Sequence, residues 1–157
     1  MTIAPIRRTI DVAVPPERAF ELFSGRMHDW WPKEHSISED PRVGVEIEDH
    51  VGGWWGQIGE SGSRTQWGKV LAWEPPGRLL LAWQINAEWR YDATLITELE
   101  LTFTPVGTNT LVTLEHRNLE RLGESAEKVA EQLRNGWPGV VQHYADFANG
   151  RVECAQP

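Results

Sequence analysis

Beyond Gly123 the spacing of apolar residues changes from two to three and four, and that change decides what this chain can fold into. Val129, Leu133, Trp137, Val140, Val141, Tyr144 and Phe147 recur at helical steps, which predicts one long helix over 126–148. Ser125 is placed to cap it, and Pro138 within Gly136-Trp137-Pro138-Gly139 predicts a kink, because proline has no N–H for the carbonyl four residues back. Before this segment the chain reads largely as strands. Thr97–Phe103 alternates most cleanly, with Leu99, Leu101 and Phe103 opposite Glu98, Glu100 and Thr102. Gly107-Thr108-Asn109 marks a hairpin, and Leu111–His116 returns from it.

Further strands are expected at 6–14, 43–47, 54–58, 66–73 and 79–85, the last rich enough in apolar residues to be interior to a sheet. After the first strand, Pro15-Pro16 opens a short helix with Ala19, Phe20, Leu22 and Phe23 on its apolar face. A second short piece carries Met27, Trp30 and Trp31 up to Pro32. Hairpin-linked strands pair antiparallel and bury one face, and the terminal helix is the element long enough to cover it. The expected architecture is α+β: a helix-grip fold. A curved antiparallel sheet of about six to seven strands wraps around a long C-terminal helix, with two short helices after the first strand. One domain over 1–149 and a tail over 150–157 account for the chain.

A sheet wrapped around one helix leaves space between them. Nine tryptophans, spread from Trp30 to Trp137, suggest either an aromatic core or a cavity walled by indoles. Strand parity turns Trp83 with Leu79, Leu81 and Ile85 to the helix side, and puts Trp67 and Trp73 on one face of their strand. Helical spacing puts Trp137 on one face with Leu133 and Val141. Trp31 and the following His35-Ser36 belong to a loop at the expected cavity mouth. Trp54 and Trp55 are adjacent, so one faces in and the other out; Trp54 joins the candidate ligand contacts. An outward indole suggests a partner surface such as a homodimer. His116 shares parity with Val112 and Leu114 and points to the apolar side. There it acts on a ligand as donor or general acid–base, or it is a core histidine bonded to a backbone carbonyl beneath the helix. The expected ligand contacts are thus Trp31, His35, Trp54, Trp67, Trp83, His116, Trp137 and Val141.

Composition narrows the partners. A net charge of −8 argues against nucleic acid and against anionic membranes. No apolar run reaches the length of a membrane span, and Met1–Pro5 lacks a secretory apolar stretch. The single cysteine, Cys154, has no internal disulfide partner, so a reducing, cytoplasmic setting is expected. The five histidines form no HxH or HxxxH pair, and there is no phosphate-binding glycine loop. Neither a metal nor a cofactor is expected. Glu46, Glu48, Glu98 and Glu100 share strand parity in pairs and mark the solvated outer face.

The chain resembles the START-like (SRPBCC) superfamily, most closely its branch homologous to the activator of Hsp90 ATPase. The likeness rests on Pro-Pro-Glu-Arg-Ala-Phe (15–20), Trp30-Trp31-Pro32 and Val51-Gly52-Gly53. It continues through the run from Trp67 to Leu79, Leu80–Trp83, Glu115-His116 and Gly136-Trp137. Where many relatives place a glutamate in the strand after the double glycine, this chain has Gln57. The resemblance implies binding of a small, largely apolar or aromatic molecule between sheet and helix. It also carries two alternatives: a polyketide cyclase/dehydratase-like enzyme using His116, and a protein-interaction module like the Hsp90 activator.

Overall fold

The computed structural model describes residues 3–32 and 35–150; Cys154 and the rest of the expected tail beyond Gly150 lie outside the described residues. The elements are β1 (Ile6–Val12), α1 (Pro16–Gly25), α2 (Met27–Trp30), β2 (Arg42–Ile47), β3 (Trp54–Gly59), β4 (Arg64–Glu74), β5 (Arg78–Trp83), β6 (Thr97–Val106), β7 (Asn109–Arg117) and α3 (Ala126–Ala148). All seven strands form one antiparallel sheet in the order β1-β7-β6-β5-β4-β3-β2. The expected interior strand, β5, is its middle member. The sheet curls around α3, giving the helix-grip arrangement. None of the described helices is long and apolar enough to cross a membrane.

Alternation sorts the two faces. In β6, Leu99, Leu101 and Phe103 are buried, while Glu98 and Glu100 meet Arg117 and Arg78 on the outer face. Burial alone would raise the Glu100 carboxyl, but hydrogen bonds from Arg117 and Arg78 outweigh it and hold the group below the usual carboxylate range. The inner face meets α3 through Val129, Leu133, Trp137, Val140 and Tyr144. The Tyr144 hydroxyl donates to the Ala19 carbonyl at 2.7 Å, tying α3 to α1.

The start of α3 differs from expectation. Ser125 makes no side-chain cap; a turn of 3₁₀ helix over Leu119–Ser125 leads into α3 instead. Pro138 lies inside the helix, which runs from Ala126 to Ala148. The Arg134 carbonyl, deprived of a partner by Pro138, accepts from Arg8 Nη2 of β1 at 3.4 Å.

Two bulges in β4 aim the indoles. The β3–β4 register slips between Trp55 and Gly56, and the β4–β5 register slips between Val70 and Ala72. Each adds one residue to β4, so Trp67, Val70 and Trp73 all turn inward despite their mixed parity. Trp67 and Trp73 thus share a face as expected, although simple alternation would have put Val70 on the other. Gly68, between the bulges, is a place of close backbone approach: a Cβ there would lie 1.7 Å from the Ala82 carbonyl oxygen. Gly68→Ala is expected to destabilise the protein by more than the ~1–3 kcal/mol of ordinary overpacking, seen as a lowered midpoint in urea unfolding.

Candidate functional site

The space between sheet and helix is a cavity of about 390 Å³, within the ~300–1,000 Å³ range of small-molecule sites. Trp67 of β4, Trp83 of β5 and Ile85 just beyond form its sheet wall. Leu133, Gly136, Trp137 and Val140, at helical spacing, form its α3 wall. Trp31, His35, Ser36 and Ile37 close one side, and Gln132 and Trp89 stand at the rim.

Five indoles close a circuit around this space. Trp31 meets Trp67 at 5.1 Å between ring centroids, Trp67 meets Trp55 at 5.6 Å, and Trp55 meets Trp83 at 6.0 Å. Trp83 then meets Trp137 at 5.6 Å, and Trp137 returns to Trp31 at 6.0 Å. Most of these contacts are edge-to-face, the geometry that aromatic quadrupoles favour, each adding about 0.5–1.5 kcal/mol beyond area burial. Four members line the cavity; Trp55 stands behind them, fully buried.

Buried polar groups set the angles of two of these indoles. Gln57, wholly buried, accepts at Oε1 from Trp67 Nε1 and from the Ile37 backbone N–H, both at 3.0 Å, and donates from Nε2 to Ser36 Oγ at 2.7 Å. An amide supplies both the acceptor and the donor; a carboxylate has no proton to give Ser36. Gln57 therefore fixes the Trp67 ring and docks the 36–37 loop at the cavity edge.

His116 holds the other. Trp137 Nε1 donates to His116 Nδ1 at 3.2 Å. Since an indole nitrogen is only a donor, Nδ1 is an acceptor and the imidazole proton resides on Nε2. His116 Nε2–H then donates to Thr97 Oγ1 at 2.8 Å, and the Thr97 hydroxyl donates to the Trp83 carbonyl at 3.1 Å. Burial depresses the His116 pKa from 6.5 to about 3.

The sequence candidates divide accordingly. Trp31, His35, Trp67, Trp83 and Trp137 line the cavity. Trp54 does not: Trp55 takes the inward position, and Trp54 lies on the outer face with the Arg64 guanidinium 4.1 Å above its ring. The outward indole from which a partner surface was expected is therefore covered in part, on one face, by Arg64. Val141 is buried on the flank of α3, and Val140 occupies the cavity stripe in its place. His116 lies behind Trp83 and Trp137, with both ring nitrogens engaged and no exposed surface. It is a core histidine whose partners are side chains, not the backbone carbonyl foreseen. Sequence reasoning missed Thr97, Gly136 and Trp89 as site residues and read Gln57 only as a departure from a family pattern. Among the described residues no cluster of His, Cys, Asp and Glu is placed to hold a metal ion.

The depressed His116 pKa has a consequence for stability. Between pH 6.5 and about 3 the unfolded histidine binds a proton that the folded one refuses. Its contribution is complete above pH 6.5 and is lost as pH falls, by up to about 1.4 kcal/mol per unit. Urea unfolding from pH 7 to 4.5 is expected to show a steeper loss for the wild type than for His116→Asn, which has nothing to titrate. Equal slopes would contradict a neutral buried imidazole.

Residues 13–146 match the family model described as Activator of Hsp90 ATPase homolog 1-like protein. Among solved structures, the chain is 34% identical to Txn09, an anthrahydroquino-γ-pyrone synthase complexed with SUM, over 92% of this chain and 97% of that one, with a TM-score of 0.66. It is 26% identical to CalC, a self-sacrificing resistance protein from Micromonospora echinospora, over 93% and 94% of the two chains, with a TM-score of 0.71. The Aha1 dimer from Colwellia psychrerythraea shares the fold at 16% identity over 95% and 98%, with a TM-score of 0.64. No curated protein matches the chain. With the family model spanning most of its length and the helix-grip fold in place, the chain belongs to the Activator of Hsp90 ATPase homolog 1-like family.

Proposed function

We propose that this protein binds a flat, fused-ring aromatic molecule of the polyketide kind between its sheet and α3. The observation that carries this reading is the unfilled space of about 390 Å³ with four indoles of a closed circuit on its walls. Indole faces and edges offer large, rigid contact area to a planar guest at low entropic cost. The polar groups are confined to the loop side and rim, at His35, Ser36 and Gln132, where they orient a guest's oxygens without interrupting its apolar seat. The 34% identity to a γ-pyrone synthase supports an aromatic polyketide as the class of guest.

The same likeness favours a second reading, ring closure on such a guest held in a folded pose. His116 is a poor acid or base for it, since its nitrogens are engaged and its proton affinity is suppressed. His35 is the cavity-lining histidine and takes the role in this reading. Turnover lost in His35→Ala with binding retained marks the enzyme; binding without turnover marks the carrier.

Gly136 supplies the test. It faces the cavity in the middle of α3, and a Cβ built there meets nothing within 4 Å. Gly136→Phe is expected to fill the cavity while slightly favouring the helix, since glycine is a poor interior helix residue. Titration of 1,8-dihydroxyanthraquinone is expected to quench the wild-type tryptophan emission saturably. Binding should weaken at least about tenfold in Gly136→Phe, roughly 1.4 kcal/mol, with thermal stability retained. Equal affinity in both proteins, or no saturable binding by the wild type, overturns the cavity as the site.

A further inference from the structure

The stretch 84–96 between β5 and β6 carries an indole that stands apart from the aromatic circuit. Trp89 is 38% exposed, and none of the ring contacts among the described residues involves it. It nonetheless stands at the rim of the cavity. Its backbone adopts φ 61°, in the left-handed region that bulky side chains avoid. The surrounding turn enforces that conformation. Ile85 and Tyr91 pair as an isolated bridge, and the Asn86 N–H donates to the Arg90 carbonyl at 2.8 Å. The Trp89 N–H donates to the Asn86 carbonyl at 2.9 Å, while Asn86 Oδ1 accepts from the amides of Glu88 and Arg90, both at 3.0 Å. One asparagine side chain thus locks a tight turn whose effect is to hold a partly exposed indole at the opening.

Burial accounts for this only in part, because more than a third of the residue stays in solvent at the rim, and glycine would relieve the backbone. An unfavourable conformation maintained by specific hydrogen bonds at a cavity mouth is explained when the side chain it presents has a task there. Resting on the reading of the cavity given above, we propose that Trp89 is a ligand-binding residue. It stacks on the solvent-facing part of a bound planar aromatic and so completes the wall that the other four indoles leave open. The guest gains a cover that excludes water, and the protein gains selectivity for guests wide and flat enough to reach the mouth.

The experiment uses the full chain and 1,8-dihydroxyanthraquinone as probe, comparing wild type, Trp89→Gly, Trp89→Phe and Asn86→Ala by calorimetric titration and stopped-flow dissociation. Trp89→Gly fits the left-handed backbone, so the protein is expected to stay folded, with a cooperative melt, while probe affinity falls about tenfold, mainly through faster dissociation. Trp89→Phe is expected to keep most of the affinity, and Asn86→Ala to lose part of it with the indole still present. Wild-type binding that survives Trp89→Gly unchanged overturns this inference alone. Absence of saturable binding by the wild type overturns the cavity reading and this inference with it.

Discussion

The arrangement of this protein depends on one relay of hydrogen bonds, from the Trp137 indole through His116 and Thr97 to the Trp83 carbonyl. It joins α3 to β7, β6 and β5, three adjacent strands at the middle of the sheet. Because each donor meets one acceptor, the relay has a single proton arrangement, and that arrangement requires a neutral imidazole. Burial enforces the same charge state independently. A fully satisfied buried polar network of this kind specifies one packing where apolar contacts alone tolerate several. Here it fixes the distance and angle between the helix and the sheet, which is what sets the width of the space between them.

A second polar brace repeats the device on the far wall. Gln57 holds the Trp67 indole N–H as His116 holds that of Trp137, and it also fastens the loop that carries Ser36 and Ile37. Indoles anchored at their polar edges cannot swing into the space they border. Edge-to-face contacts around the circuit stiffen them further. Gly136 contributes by omission, leaving the α3 wall without a side chain at mid-height. The hollow is thus a product of immobilised large side chains and one missing small one, and its walls are rigid rather than collapsible.

Much of the fold was legible in the chain. The period change near Gly123 located α3, and the alternation in β6 predicted which of its residues face the core. Parity found Trp83, and helical spacing found Trp137. The failures have physical causes. Alternation supplied no warning of the bulges in β4, so Val70 and Trp67 share a face that simple parity denies them. Parity could say that one of Trp54 and Trp55 faces in but not which, since strand register is fixed by neighbours distant in sequence. It pointed His116 toward the helix correctly and could not reveal that two indoles stand between it and the cavity. The turn at Asn86 was not foreseen, since nothing local indicated that it would place Trp89 at the mouth.

The state of His116 decides whether the helix is braced, because a charged or mobile imidazole cannot hold Trp137 to the sheet. Long-range nitrogen–proton NMR correlation on protein with ¹⁵N-labelled histidine reads that state directly. The structure requires a neutral ring protonated at Nε2, with nitrogen shifts that do not move between pH 8 and pH 5. An imidazole in tautomeric exchange, or one whose shifts titrate with a midpoint near the ordinary histidine value, would show that the relay is not the brace described and that the cavity walls are not held by it.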